Sequence, residues 1–298
     1  MKNLIKTAFA AIVLTTFIFA CSRVPLTGRK QLMLVSPTEM MTMSFTQYKQ
    51  FLDTSKVVPM SATEGAMVNR VGTRIQKGVE AYLTQQNQMN VVDGFKWEYH
   101  LVQNKQVNAW CMPGGKVVVY SGILPITQTE EGLAVVLGHE ISHAIAQHGA
   151  ERMSESLLAQ GVMAAGETAI GVYSKNPQAV GQLFNLAVGA GATLGLLAHS
   201  RNQESEADHL GLIFMSMAGY NPQHAIAFWN RMTNGKTQQS KVEAWLSDHP
   251  TDQKRIEDLT RELPEAMQYY QTYGQGTQNT PASPTKEAPY IRVTPKQK

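Results

Sequence analysis

Hydrophobic and polar positions follow two periods along this chain, and the points where the period changes divide it into elements. Residues 37–52 carry a helical pattern. In the next pattern Met67, Val71, Ile75, Val79 and Leu83 recur near the helical repeat of about 3.6 residues. Asn90 to Gly94 interrupt it. The period then drops to two, with Phe95, Trp97, Tyr99 and Leu101 alternating with polar residues, as in a half-buried strand. "VNAWCM" and "KVVVYSG" flank the turn signal "PGG", so residues 94–121 are expected to form a small antiparallel sheet. Helix returns at Thr127, where Thr127 and Glu130 have the spacing of a capping box. Leu133, Val136, Leu137, Ile141, Ala144 and Ile145 give that helix its apolar face, and the pattern runs to about Ser154.

Residues 157–198 are rich in Gly and Ala, and Ala179 to Ala198 carries no charge. Its length would span a bilayer. Gln182, Asn185 and four glycines argue instead for a helical hairpin packed on the protein or lying near a membrane surface. Helical spacing resumes at Gln203 and stops at Gly219. Asn221 and Pro222 then resemble an N-cap and first helical residue, and "HPTDQKRIEDLTREL" forms a last helix. Residues 274–298 have little to bury and are expected to be disordered. Residues 37–273 are therefore expected to form one domain.

The chain has 298 residues, 43% hydrophobic and 16% charged, enough to bury a substantial core. Its net charge of +3 is matched by the tail alone, so no basic face argues for nucleic acid. Residues 1–20 read as a signal peptide: Lys2 and Lys6 precede the apolar stretch "AFAAIVLTTFIFA". The stretch ends at Ala20-Cys21, which has the form of a lipobox whose cysteine is acylated. Residues 21–36 would then be a lipidated tether. Cys111, the other cysteine, is expected to be a small buried hydrophobe.

The candidate chemistry lies in "LGHEISHAIAQHG". His139 and His143 stand four apart on a helix and project from one side, close enough to share an ion. Glu140 is turned one step aside, where it reaches a water on the metal rather than the metal itself; this is the mechanical content of H-E-x-x-H. A catalytic zinc needs a third protein ligand. "SRNQESEADHLG" supplies Glu204, and Asp208 four residues on shares its face and is expected to hold the far nitrogen of a ligand histidine. Glu206 lies about 200° round the helix from Glu204 and should face elsewhere. His148 is expected to make a hydrogen bond rather than to ligate.

H-E-x-x-H followed by E-x-x-A-D resembles the HtpX-like and CAAX-prenyl-protease-like zinc metallopeptidases, a gluzincin group. "VNAWCMPGGKVVVYSGIL" is similar to the strand and turn before their zinc helix, and "SDHPTDQKRIEDL" to their C-terminal His-Pro and Arg motif. "PLTGRKQLMLVSP" after Cys21 resembles their bacterial envelope lipoprotein branch. Trp110 and Cys111 depart from the Phe and small residue expected there. The resemblance implies an α+β, predominantly helical fold: a zincin-like core with the sheet beside the H-E-x-x-H helix. It implies that Asn108 and Ala109, at a strand edge, bind substrate, and that His249 approaches the zinc.

The expected protein is a zinc endopeptidase of the bacterial cell envelope, with one Zn2+ per chain bound by His139, His143 and Glu204. Its substrates would be misfolded or unassembled proteins. Glu140 would act as general base and then as acid toward the leaving amine. His249 would donate to the oxyanion. The expected location is a lipid-anchored one, on the outer membrane facing the periplasm; the sequence sets no oligomeric state. Two other classes stay open. One is a chaperone-like assembly factor in which His249 takes the fourth metal position and closes the site. The other is a zinc hydrolase of non-peptide amides.

Overall fold

The computed structural model describes residues 21–159, 177–189, 200–234, 245–246, 249 and 253–273. The expected signal segment, most of the 157–198 hairpin and the expected disordered tail lie outside these residues. Among the described residues no helix is long and apolar enough to cross a membrane.

The segment expected as a tether is folded. Strand β1 (Cys21–Arg23) pairs antiparallel with β2 (Lys30–Leu32), and Val24 N donates to Arg29 O across the turn. The hairpin is fastened to the body: Leu34 N and Val35 N donate to Ser154 Oγ at 2.9 and 3.2 Å. Helix α1 (Pro37–Thr54) follows, started by a capping box of Ser36 and Glu39 with Pro37 in the first turn.

Helix α2 (Thr63–Gln85) has no side-chain cap at Ala62. Packing holds it instead, because Val68, Val71, Ile75, Val79 and Leu83 are fully buried. Each such side chain contributes about 1.5–3 kcal/mol through burial.

Strands β3 (Glu98–Val102), β4 (Ala109–Met112) and β5 (Lys116–Tyr120) form a sheet in the order β3-β5-β4. The β4–β5 hairpin is antiparallel, as the "PGG" turn predicts, but β3 pairs parallel with β5. The chain leaves β3 and turns back to make β4 at the far edge. It then returns through the gap as β5, which therefore runs with β3. A turn signal reports which strands are joined, not which strand enters between two others.

The zinc-helix candidate, α3 (Glu130–Ile145), is capped by Thr129, whose side chain accepts from Gly132 N at 3.2 Å. Thr127 instead closes a preceding helical turn, its hydroxyl donating to Leu124 O. Gln128, at φ 64°, separates the two. Nor does α3 run to Ser154: Gln147, at φ 61°, breaks it, and α4 (His148–Ala159) sets off anew. Helix α5 (Pro177–Ala187) packs on α1 and α4.

Helix α6 (Arg201–Met217) opens with a capping box of Ser200 and Gln203 and ends before Gly219, at φ 80°. Helix α7 (His224–Asn234) begins two residues after Pro222, because Asn221 Oδ1 accepts from Gln223 N in a local turn. Helix α8 (Gln253–Thr272) is the last described element.

Helix α3 runs through the middle of the fold, with every residue from Gly132 to Ile145 buried. Helices α2, α6 and α7 and strand β4 all pack on it. Its crossing with α6 is made at glycines: a Cβ built on Gly138 would lie 2.9 Å from Gly211 O. This close approach aligns the H-E-x-x-H turn with the first turns of α6.

Candidate metal centre

His139 and His143 come from adjacent turns of α3, and Glu204 from the first turn of α6. All three are buried, as are Glu140, Asp208 and His249. The Nε2 atoms of His139 and His143 are 3.0 Å apart. Glu204 Oε1 lies 3.3 Å from His143 Nε2, and Glu204 Oε2 lies 3.5 Å from His139 Nε2. The folded chain therefore brings together the three residues expected to bind metal.

His249 joins them. Its Nδ1 lies 3.1 Å from both His139 Nε2 and Glu204 Oε1. Ligand atoms of His139, His143, Glu204 and His249 all lie within 4.8 Å of one another. Three imidazole nitrogens and a carboxylate crowded about one point, out of water, are the N and O donor set that zinc takes with four-coordinate geometry. Glu140 stands beside this cluster, and its Oε1 lies 3.5 Å from His249 Nε2. That oxygen is buried with no hydrogen-bond partner among the described residues. A buried carboxylate oxygen left without a partner is costly and marks a place where a further group is accommodated.

Asp208, one turn beyond Glu204, faces the same way. Its Oδ1 accepts from His139 Nδ1 at 3.0 Å, which fixes the ring and leaves Nε2 for an ion. Asp208 is held in turn by Arg255, whose Nε and Nη2 donate at 2.5 and 2.7 Å. Arg255 Nη1 also lies 2.7 Å from Glu204 Oε2, and the guanidinium stacks 3.6 Å from the Trp229 ring centroid. Trp245 stacks on His249 with ring centroids 4.5 Å apart. No spacing or motif in the sequence points to Trp229 or Trp245 as site residues. Only Arg255 has a signal there, as the arginine of the C-terminal motif.

Charge follows this geometry. Burial pushes the Glu140 carboxyl up, against the pull of His249 and His139. For Glu204 burial acts the same way, but His249, Arg255 and His139 outweigh it and hold the carboxyl well below its usual range. Burial keeps the His143 imidazole neutral, well below its usual pKa. His139 is the exception: burial opposes its charging, but Glu204 and Asp208 raise it to about 9 in the metal-free protein. Burial also pushes up the Cys111 thiol.

Asn108 and Ala109 lie where β4 begins, at the outer edge of the sheet, and both are buried. Neither lines the cleft beside the cluster. That cleft has a volume of about 300 Å³ and is lined by Met40, Met41, Phe95 and Cys111 together with Asp93, Arg152, Glu140 and His143. Glu206 faces away from the cluster and bonds His148. Cys21 contributes its backbone to β1.

Comparison with known proteins adds to this picture. A family model described as Peptidase family M48 matches residues 69–263. The chain is 37% identical over 172 residues to the mitochondrial metalloendopeptidase OMA1 of Schizosaccharomyces pombe, covering 58% of this chain and 48% of that protein. It is 35% identical over 195 residues to the protein of the same name in Saccharomyces cerevisiae, covering 61% and 51%. It is 32% identical over 167 residues to the beta-barrel assembly-enhancing protease of Yersinia pestis, covering 54% and 33%. The chain thus spans about half the length, or less, of these curated relatives. The resemblance to HtpX-like and CAAX-prenyl-protease-like enzymes holds at the level of the family, while these relatives carry other names.

The relatives overturn the location expected from the N-terminal residues, a lipid-anchored protein of the bacterial outer membrane facing the periplasm. The two of higher identity are named as mitochondrial proteins, and the bacterial one matches at lower identity. Residues 1–20, which suggested the location, lie outside the described residues and outside the matched family region.

Proposed function

The chain belongs to peptidase family M48, and from that premise we propose that it is a zinc-dependent endopeptidase acting on unfolded or unassembled proteins. One observation carries the reading. His139, His143 and Glu204, from helices about sixty residues apart in sequence, converge on one buried point, with Glu140 beside it.

A zinc ion held by these residues supplies Lewis acidity for carbonyl polarisation and water activation. Glu140 takes the proton of the attacking water and passes it to the leaving amine. Burial raises its pKa from the ordinary carboxylate value toward the working range, which favours a group that must both take up and return a proton. Asp208, anchored by Arg255, keeps His139 in the tautomer that offers Nε2. The outer edge of β4 supports binding of an extended substrate segment as an added strand, through main-chain groups that demand little of its sequence. The cleft at Glu140 and His143, lined by Met40, Met41 and Phe95 together with Asp93 and Arg152, has room for a side chain of the substrate and favours one with a hydrophobic body. Such side chains are exposed in unfolded chains and hidden in folded ones.

The test is cleavage of casein by the purified protein with zinc measured by elemental analysis. Glu140→Gln should keep about one zinc per chain and lose most of its cleavage. Undiminished cleavage would remove Glu140 from the mechanism, and a wild-type protein without zinc would end the reading.

A second reading is favoured by His249. Its Nδ1 sits among the ligand atoms rather than at a distance suited to an oxyanion donor. There it would be a fourth protein ligand to a zinc ion held by His139, His143 and Glu204, as expected of a protein that binds clients and cuts only when opened. The name of the Yersinia pestis relative supports an assembly role beside proteolysis. His249→Ala separates the two: cleavage rises if His249 masks the site and falls if it stabilises the transition state.

A further inference from the structure

The catalytic chemistry leaves the "PLTGRK" turn without a role, yet that turn reaches the metal centre. Thr27 and Arg29 lie between β1 and β2. Arg29 Nε donates to Glu206 Oε2 at 2.9 Å, and the Thr27 hydroxyl donates to Glu206 Oε1. Arg29 Nη1 and Nη2 donate to the two oxygens of Glu151 at 2.8 and 2.7 Å, and Gln203 Nε2 donates to Glu151 at 2.7 Å. Glu206 and Glu151 are both buried. Glu206 Oε2 accepts from His148 Nε2 at 2.9 Å, and His148 Nδ1 lies 2.8 Å from His143 Nδ1.

The proton positions in this chain are dictated by its ends. A neutral histidine that offers Nε2 to a metal carries its proton on Nδ1. His143 Nδ1 therefore donates to the bare Nδ1 of His148. His148 must then keep its proton on Nε2, where the Glu206 carboxylate accepts it. Reversing the His148 tautomer would set two N–H groups against each other and leave Glu206 without that donor.

We propose that Arg29 and Thr27 are positioning residues for His143, acting through Glu206 and His148, so that the N-terminal hairpin is part of the metal centre. The inference rests on His143 being a metal ligand and adds what aims it. The arrangement parallels the other imidazole. His139 is oriented by Asp208 of α6, which Arg255 fixes from the C-terminal side. His143 is oriented through Glu206 of α6, which Arg29 fixes from the N-terminal side. The difference is the interposed His148, which fills the distance left because Glu206 faces away from the ligand face of α6. The break at Gln147 is what turns His148 back toward His143.

The experiment measures zinc affinity of the full chain by competition with a chromophoric chelator, and the visible spectrum of the cobalt-substituted protein, which reports ligand geometry. Arg29→Ala and His148→Phe should each bind zinc about 10–100-fold more weakly, the range seen when outer partners of a ligand histidine are removed. The double variant should be no weaker than His148→Phe, because both changes break one chain. His148→Gln, whose carbonyl can accept from His143 and whose amide can donate to Glu206, should restore most of the affinity. Thr27→Val removes a single hydroxyl and so tests the same point if Arg29→Ala fails to fold; it should weaken zinc about threefold. Both Arg29→Ala and Thr27→Val should shift the cobalt bands. A wild-type affinity and spectrum in Arg29→Ala, or losses that multiply fully in the double variant, would overturn the proposal alone. A wild-type protein that binds no zinc would overturn the ligand assignment and the proposal together.

Discussion

Replacing Gly211 with alanine tests whether the spacing of α3 and α6 sets the affinity for metal. A Cβ at position 211 would lie 3.0 Å from His139 N, 3.1 Å from Gly138 C and 3.2 Å from His139 Cα. Ordinary contact begins at 3.4 Å, so the helices must part by about 0.4 Å. The obstructing atoms are helix backbone, which cannot rotate aside. Overpacking of this kind costs about 1–3 kcal/mol. Alanine in a helix interior returns about 1 kcal/mol over glycine. In the metal-free protein the helices can separate and the two effects nearly offset, so the melting temperature should move by no more than about 2–4 °C. Zinc binding pulls the helices back, because ligand distances tolerate only about 0.2 Å. A strain of about 1–2 kcal/mol confined to the metal-bound state corresponds to about 5–30-fold weaker zinc binding. Chelator competition reads the affinity and calorimetry of the metal-free protein reads the stability. Gly189→Ala is the control: its φ of 73° makes it strained, but nothing lies within 4 Å of its Cβ, and zinc affinity should not move. Unchanged zinc affinity in Gly211→Ala, with a raised melting temperature, would show that propensity alone was felt and refute the reasoning.

Three more predictions follow from named contacts. Asp208→Asn takes the carboxylate from His139 Nδ1 and a counter-charge from Arg255, and zinc affinity should fall about 10–100-fold; an affinity equal to wild type would exclude Asp208 from orienting the ligand. Burial would raise Glu206 and Glu151, but hydrogen bonds from His148, Thr27 and Arg29 to the first, and from Arg29 and Gln203 to the second, hold both below the ordinary 4.5. Their stabilising contribution is present above the unfolded value and lost as pH falls through the folded one. Urea midpoints of metal-free wild type should therefore drop on acidification from pH 7 to about 4 more steeply than those of Arg29→Ala; parallel curves would contradict this. The buried thiol of Cys111, with its raised pKa, should resist alkylation in the folded protein and react on unfolding, as followed by peptide mass mapping.

Much of the centre is legible in sequence because helical spacing converts directly into direction. His139 with His143, and Glu204 with Asp208, each follow from a separation of four residues, and so does the turning away of Glu206. What spacing does not encode is distance across the fold. Arg29 meets Glu151 and Glu206 from 122 and 177 residues away, and nothing local marks it as part of a metal centre. His249 is expected near the zinc from the resemblance alone, and no spacing announces that its ring stacks on Trp245 among the ligand atoms. The split between α3 and α4 is hidden for another reason. Gln147 and Gln128 take left-handed backbone without being glycine or asparagine, the residues that ordinarily announce it. Thr127 and Thr129 compete for one cap, and the winner is decided by that same Gln128. In the sheet, alternation identifies β3 and the "PGG" turn identifies the hairpin, but the insertion of β5 between β3 and β4 leaves no local trace.

The α6 carboxylates are locked from both sides, by Arg29 early in the chain and by Arg255 more than two hundred residues later. Domains tend to form in the order in which ribosomes release them. A nascent polypeptide that has emerged only as far as α6 already carries the H-E-x-x-H turn and Glu204, yet lacks the guanidinium that aims His139. The orientation of His139 is thus completed only when the last described helix joins the body, so the two ends of the described fold must both be in place before the ligand atoms are aimed.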